Sequence, residues 1–208
     1  MISQFAGTSL WFAGNAILPD IQQSLSLTNS APGTLTSFIQ FGFISGTFVF
    51  AMLGIADRFK PSYVFFGSAI LASLANMGII WFVKDQTGLF TFRFITGFFL
   101  AGIYPIGMKI ATDWYEKGLG TALGWLVGAL VLGTAFPHLL KATLHDLAWE
   151  KVLWFVSIFA SIGGTLILLF VPDGPFRKRG QRFSPGNIVH IFRSKDFRSA
   201  AFGYFGHM

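Results

Sequence analysis

Arg93 is the residue with the largest chemical consequence in this sequence. It lies inside an apolar stretch, 89–112. An ionised group within hydrocarbon costs about 2.5–3.5 kcal/mol on insertion scales unless it is paired or hydrated, so a retained charge is a candidate for function. Two readings stand side by side. Arg93 is a cavity-facing cation that attracts an anionic solute or couples to protons, or its long side chain snorkels to the outer interface. Lys109 and Asp113 lie four residues apart toward the other end of the same stretch, which permits a same-face ion pair, and a structural pairing is the favoured reading. Asn15 and Gln40 place amides in two further apolar stretches. A buried amide must find a partner, either a solute or a neighbouring helix. Trp11, Tyr104 and Trp125 can line a pocket or simply face packing and lipid. The four histidines (His138, His145, His190, His207) have no metal-site spacing, His138 reads as a solvated interfacial residue, and with no Cys there is no thiol nucleophile, disulfide or Cys-based metal centre. No cofactor is implied.

The elements that must position these residues are membrane helices. The stretches 61–83, 118–140 and 152–172 contain no Asp, Glu, Lys or Arg. A hydrocarbon core about 30 Å thick needs roughly 20 apolar residues to cross as a helix. A soluble domain could not hide several such stretches in one core. Composition agrees, with 53% apolar and 12% charged residues and a mean hydropathy of +0.61. The expectation is an all-α polytopic membrane protein. Its six spans are placed at 4–21, 34–56, 62–83, 89–112, 119–140 and 151–171, with the start of a seventh at 199–208. Residues 1–175 form the six-helix bundle and 176–198 a basic connector, of which 188–197 could form a short interfacial helix. The chain is expected to begin part-way into its first helix and to stop early in the seventh, so that a carboxy-terminal six-helix half is missing.

Charge sets orientation. One side receives Arg58, Lys60, Lys117 and the cluster from Arg177 to Arg198, while the other receives only Lys84, Lys141 and Lys151. The positive-inside rule puts the loops 57–60, 115–118 and 176–198 in the cytoplasm, most simply of the plasma (inner) membrane. The net charge of +6 is concentrated late and beside a membrane helix, so its partner is lipid and not nucleic acid. Glycines suggest an internal repeat. Gly42 and Gly46 in span two, and Gly120, Gly124 and Gly128 in span five, recur at four-residue intervals that let helix backbones approach closely. Spans one and four each carry a proline, Pro19 and Pro105, and mid-helix polarity. Two three-helix repeats follow, a common transporter plan.

Several motifs then resemble the major facilitator superfamily. Gly54-Ile55-Ala56-Asp57-Arg58-Phe59 is similar to the family's loop signature between helices two and three. Arg93-Phe94-Ile95-Thr96-Gly97 resembles its helix-four signature, Gln40-Phe41-Gly42 through Gly46 its second helix, and Val171-Pro172-Asp173-Gly174-Pro175 with the basic stretch beyond it the link between halves. Thr8-Ser9-Leu10-Trp11-Phe12-Ala13 is loosely like the nitrate and cyanate porter group. The resemblance covers essentially the whole chain. It implies a secondary active transporter that moves a small solute by alternating access, with helices one, two, four and five lining the cavity and helices three and six outside. Asn15, Gln40, Arg93 and Tyr104 are then the cavity residues, joined by Trp11 and Trp125. Asp57, Arg58, Lys109 and Asp113 are the gating set. A small anionic solute is preferred, with a coupling proton or ion. Two departures matter. Lys60-Pro61-Ser62-Tyr63 stands where the loop signature continues with Gly and basic residues, and Gly133 to Pro137 lacks the antiporter Gly-Pro pair. Two other classes stay open: a self-assembling six-helix channel or half-transporter, and a membrane-embedded enzyme built on His138, His145, Asp146 and Glu150.

Overall fold

The computed structural model describes residues 1–25, 31–144, 147–177, 193–195 and 197–199. Most of the predicted basic connector, His145, Asp146, His190, His207 and, beyond Ser199, the start of a seventh helix lie outside them. The described chain is all helix and turn. Five helical stretches are long and apolar enough to cross a membrane. They are α4 (Ala31–Met52), α6 (Pro61–Phe82), the pair α7 (Gln86–Leu100) with α8 (Tyr104–Trp114), α9 (Leu119–Thr143) and α10 (Trp149–Phe170). A four-residue helix, α5 (Ile55–Arg58), follows α4 after Gly54, whose φ of 59° lies in the left-handed region that glycine adopts without strain.

The predicted first span is built from three pieces, α1 (Ile2–Thr8), α2 (Ala13–Ala16) and α3 (Leu18–Leu25). Two side-chain bonds accompany the first break. Thr8 Oγ1 donates to the Gln4 carbonyl at 2.8 Å and Ser9 Oγ to the Ala6 carbonyl at 2.6 Å. Such back-bonding competes with the helix ladder and bends it. Pro19 falls in the first turn of α3, where its missing N–H costs nothing. Span four breaks at Ala101–Ile103, where the ladder tightens to Gly102 N–H on Phe99 and Ile103 N–H on Leu100. Pro105 cannot donate to the Ala101 carbonyl, which fixes the break there.

Packing follows an exchange rule. α4 packs on α7, and α9 packs on α1; α6 packs on α7, and α10 packs on α1; α6 and α10 pack on each other. Swapping spans one to three for spans four to six leaves this pattern unchanged, as two equivalent three-helix units require. The core lies where the units meet and contains Leu10, Ile17, Phe65, Ile79, Leu89, Leu100, Ile103 and Val156. Large apolar residues such as Phe41, Phe48, Trp81, Leu132 and Phe170 are more than half exposed. That is normal for a surface facing lipid tails and would be untenable in water.

The two glycine sets have different fates. On α4 the buried stripe is Leu35, Ile39, Gly42 and Gly46. A Cβ on Gly42 would run into the Phe94 carbonyl, one on Gly46 into that of Phe98, and one on Gly97 into that of Ile39. These three glycines set the α4–α7 separation. Gly120, Gly124 and Gly128 do not do the same for α9: each faces open space, with no atom within 4 Å of an added Cβ. The close approach of α9 to α1 is made at Gly133 instead, against the Phe5 carbonyl and Thr8 Oγ1. Spacing alone marks a helix that can be approached, and the contacting partner lies on the opposite face of α9.

Candidate functional site

The breaks in spans one and four bring chemistry to the middle of the bundle. Arg93 is 0% exposed. It neither opens to a cavity nor snorkels outward. Its Nη1 donates to the Leu10 carbonyl at 3.3 Å and to Asn76 Oδ1 at 3.2 Å, and its Nη2 donates to the Trp11 carbonyl. Leu10 and Trp11 sit in the gap between α1 and α2, so the interruption of span one supplies the acceptors. Hydrogen bonds to a charged group are worth roughly 1.5–3 kcal/mol each. Three of them exceed the insertion cost of a guanidinium, about 2.5–3.5 kcal/mol. Gly14 makes room, because a Cβ there would sit 2.8 Å from Arg93 Nε. Among the described residues no carboxylate pairs with Arg93. The site therefore keeps a net positive charge, solvated by backbone and amide dipoles.

Asn76 extends the network. Its Nδ2 donates to Ser157 Oγ at 3.0 Å and contacts the Leu153 carbonyl at 3.5 Å. A continuous buried polar chain thus runs from span one through Arg93 and Asn76 to Ser157, touching spans one, four, three and six. Asn76 and Ser157 escaped the sequence reading. The lone amide inside 61–83 was the available signal, of the same kind as Asn15 and Gln40, but it falls in span three, which the resemblance places outside the cavity.

Trp11 lies within the same break and Asn15 in the short helix that follows it. The Trp11 ring packs on Phe43 with centroids 4.7 Å apart. Asn15 Nδ2 donates to Thr36 Oγ1 at 2.8 Å. Trp11 Nε1 and Asn15 Oδ1 are buried with no hydrogen-bond partner. Gln40 lies one turn beyond Thr36 on the exposed side of α4, in an open depression with Thr36, Ser37 and Phe41. Trp11, Asn15 and Arg93 are therefore brought together, and Gln40 stands nearby. Tyr104 is half-buried at the start of α8. Trp125 is 68% exposed on α9, on the same surface as Gly124 and Gly128.

The gating set lies at one end of the bundle. The expected Lys109–Asp113 pair does not form. Lys109 Nζ instead meets Asp57 Oδ1 at 2.9 Å, joining α8 to α5. Asp113 is turned inward at 6% exposure, and its carbonyl accepts from the Phe176 N–H at 3.0 Å. The i,i+4 spacing permits the local pair, but the α5 turn brings a more accessible carboxylate to the lysine. Arg58 is exposed at this end. Arg177 binds Asp173 at 2.6 Å and donates to the Phe59 carbonyl at 3.0 Å. At the opposite end Lys141 holds Asp20 at 2.6 Å, joining spans five and one.

A bundle of apolar helices in two interlocked triplets, interrupted around a buried charge, is the architecture of a polytopic membrane protein. The chain belongs to the Major Facilitator Superfamily, whose family model matches residues 1–208. It is 29% identical over 160 residues to a niacin transporter from Acinetobacter baylyi, an alignment that covers 66% of this chain and 36% of that protein. It is also 29% identical over 174 residues to a sphingosine-1-phosphate transporter from Xenopus tropicalis, covering 79% of this chain and 32% of that protein. The chain spans about a third of the length of these curated relatives. The family and both relatives are transporters of solutes, which points away from the enzyme reading.

Proposed function

We propose that this chain is the amino-terminal half of a secondary active transporter that carries a small anionic solute by alternating access. The observation that carries the reading is Arg93: a buried cation with no carboxylate partner among the described residues, bonded to the break in span one, where Trp11 Nε1 and, in the helix that follows, Asn15 Oδ1 are buried without a partner. At an effective dielectric of about 20, a unit charge attracts an anion about 10 Å away by about 1.7 kcal/mol. Arg93 thus acts through its field, while Trp11 donates to the solute and Asn15 orients it. Gln40, Tyr104 and Trp125 complete the wall of a cavity shared with a second six-helix half. Niacin and sphingosine-1-phosphate, named for the two relatives, are both acidic compounds. The loops 57–60, 115–118 and 176–198 face the cytoplasm of the plasma (inner) membrane under the positive-inside rule. There Asp57 and Lys109, with Arg58 and Asp113, form the gate. A coupling proton or ion is carried by groups outside these spans.

The test uses the full-length protein in proteoliposomes with an imposed ion gradient and a panel of organic acids, phosphate monoesters, neutral solutes and amines. Accumulation of an acid above equilibrium is expected. Asn15→Asp, which keeps shape and adds a negative charge, is expected to raise KM for that acid at least about tenfold, a 1.4 kcal/mol effect. Accumulation of amines, unimpaired by Asn15→Asp, would overturn the anion preference. Transport that never exceeds equilibrium would overturn secondary active transport.

A further inference from the structure

A groove of about 270 Å³ runs along the flank of the bundle between the end of α4, the α5 turn and the start of α6. Its walls include Phe50, Ile55, Phe59, Tyr63, Leu71 and Phe99. Gly67 lies on its floor, where an added Cβ meets nothing within 4 Å. From residue 63 to residue 71 the groove follows the helix for about 12 Å. That is most of one leaflet of a hydrocarbon core about 30 Å thick. A slot this long and this apolar offers a polar solute almost no hydrogen-bonding partner, but it accommodates an acyl chain.

The rim of the groove is charged, and the ion pairs around it decide the sign. Asp57 is held by Lys109 at 2.9 Å and Asp173 by Arg177 at 2.6 Å. Arg58 and Lys60 flank Phe59 in the chain, and both are exposed. Neither takes part in an ion pair among the described residues. Lys60 Nζ stands 5.6 Å from the centre of the Tyr63 ring, directly at the edge of the slot. Two uncompensated cations therefore border an apolar channel. The second repeat holds a comparable groove of about 300 Å³, with Phe136, Leu140, Phe155 and Phe159 in its wall. Of the basic residues near that groove, Lys141 is held by Asp20 at 2.6 Å and Lys151 adjoins Glu150, so its rim lacks the same net charge.

We infer that the α4–α6 groove binds an anionic phospholipid, with one acyl chain lying over Gly67 and the phosphate held by Lys60 and Arg58. Juxtamembrane basic residues attract anionic headgroups in this way. Full-length protein is placed in nanodiscs of equal parts phosphatidylglycerol and phosphatidylcholine, released into mild detergent, and its retained lipid counted by native mass spectrometry. Wild type is expected to retain phosphatidylglycerol over phosphatidylcholine by about fivefold, the factor supplied by about 1 kcal/mol from one basic side chain. Lys60→Gln brings that ratio toward equality. Gly67→Leu fills the slot and removes both lipids, and Leu71→Trp narrows the same slot by an independent substitution on an exposed position. Melting temperature in detergent reports whether each variant is folded. Equal retention of the two lipids by wild type would overturn the proposal. So would wild-type phosphatidylglycerol retention in folded Gly67→Leu or Leu71→Trp. Displacement of bound lipid by soluble glycerol 3-phosphate alone would overturn the acyl-chain half and leave a bare phosphate site.

Discussion

The two three-helix units make the same pattern of contacts, yet the equivalent interfaces are built differently. Where span two meets span four, Gly42, Gly46 and Gly97 bring two backbones together along several turns. Where span five meets span one, Gly133 alone makes the close approach, and Gly120, Gly124 and Gly128 look outward. The units also divide the central chemistry. Span four brings the guanidinium, and the gap in span one brings the carbonyls that receive it. Equivalent topology therefore does not require equivalent residues. Each unit needs only to complete the other.

The largest expected effect is at the tight interface. Gly97→Leu forces a side chain into the Ile39 backbone. Overpacking typically costs about 1–3 kcal/mol where neighbouring side chains can yield, but here the obstacle is backbone, so loss of the folded bundle is expected. Detergent melting should fall steeply or folded protein should be lost. Gly124→Leu, on the equivalent helix of the other unit, is expected to leave the stability of this six-helix bundle within about 0.5 kcal/mol. Equal losses in the two variants would erase the distinction between the interfaces.

Arg93→Ala comes next. It strands the Leu10 and Trp11 carbonyls and Asn76 Oδ1, each unsatisfied buried group costing about 1–3 kcal/mol. Uptake by the full-length protein should be abolished, with membrane insertion retained and melting lowered. Arg93→Lys keeps the charge but lacks the planar fork that reaches several acceptors, so it should recover stability only in part. Full recovery by lysine would reduce the site to a point charge. Asn76→Ala cuts the polar chain one step later and should cost about 1–3 kcal/mol; a double-mutant cycle with Arg93→Ala should show non-additivity, since the residues share a bond. The smallest effect belongs to Asp57→Asn. Its pair with Lys109 is partly solvated, with side-chain exposures of 39% and 23%, and such pairs contribute about 0–1 kcal/mol. A stability change beyond that range would mark the pair as more than a surface contact.

Much of this architecture was legible because its cause is one-dimensional. A charge-free run about 20 residues long has few fates other than spanning a bilayer, and spans two to six fall within a few residues of their expected limits. Arg93 stood out for the same reason: one ionised residue in an apolar helix is conspicuous without a structure. Partners were harder to read, because they are set by folding in three dimensions. Lys109 has Asp113 at ideal helical spacing, yet α5 delivers Asp57. The gap in span one has no proline at its centre. It coincides with Thr8 and Ser9 bonding back onto carbonyls, which hydroxyls also do in helices that stay whole, and with Arg93 taking the Leu10 and Trp11 carbonyls from a distant helix. Glycine spacing found a real interface on α4 and the wrong face of α9, since small residues state how near a neighbour can come and not where it stands.

The cations in the contacts between the units have a direction. Arg93, Lys109 and Lys141 come from spans four to six and Arg177 from the segment after them, and across the interface they meet the Leu10 carbonyl, Asp57, Asp20 and the Phe59 carbonyl of the first unit, although Arg177 also holds Asp173 and Lys141 the Leu147 carbonyl. Two copies of the leading triplet would set acid against acid, and two of the trailing one would leave Arg93, Lys109 and Lys141 of each copy without their cross-unit partners. The triplets are thus keyed heterotypically. As synthesis proceeds, the leading triplet enters the bilayer with its acceptors vacant, and only the later arrival of its opposite number can fill them.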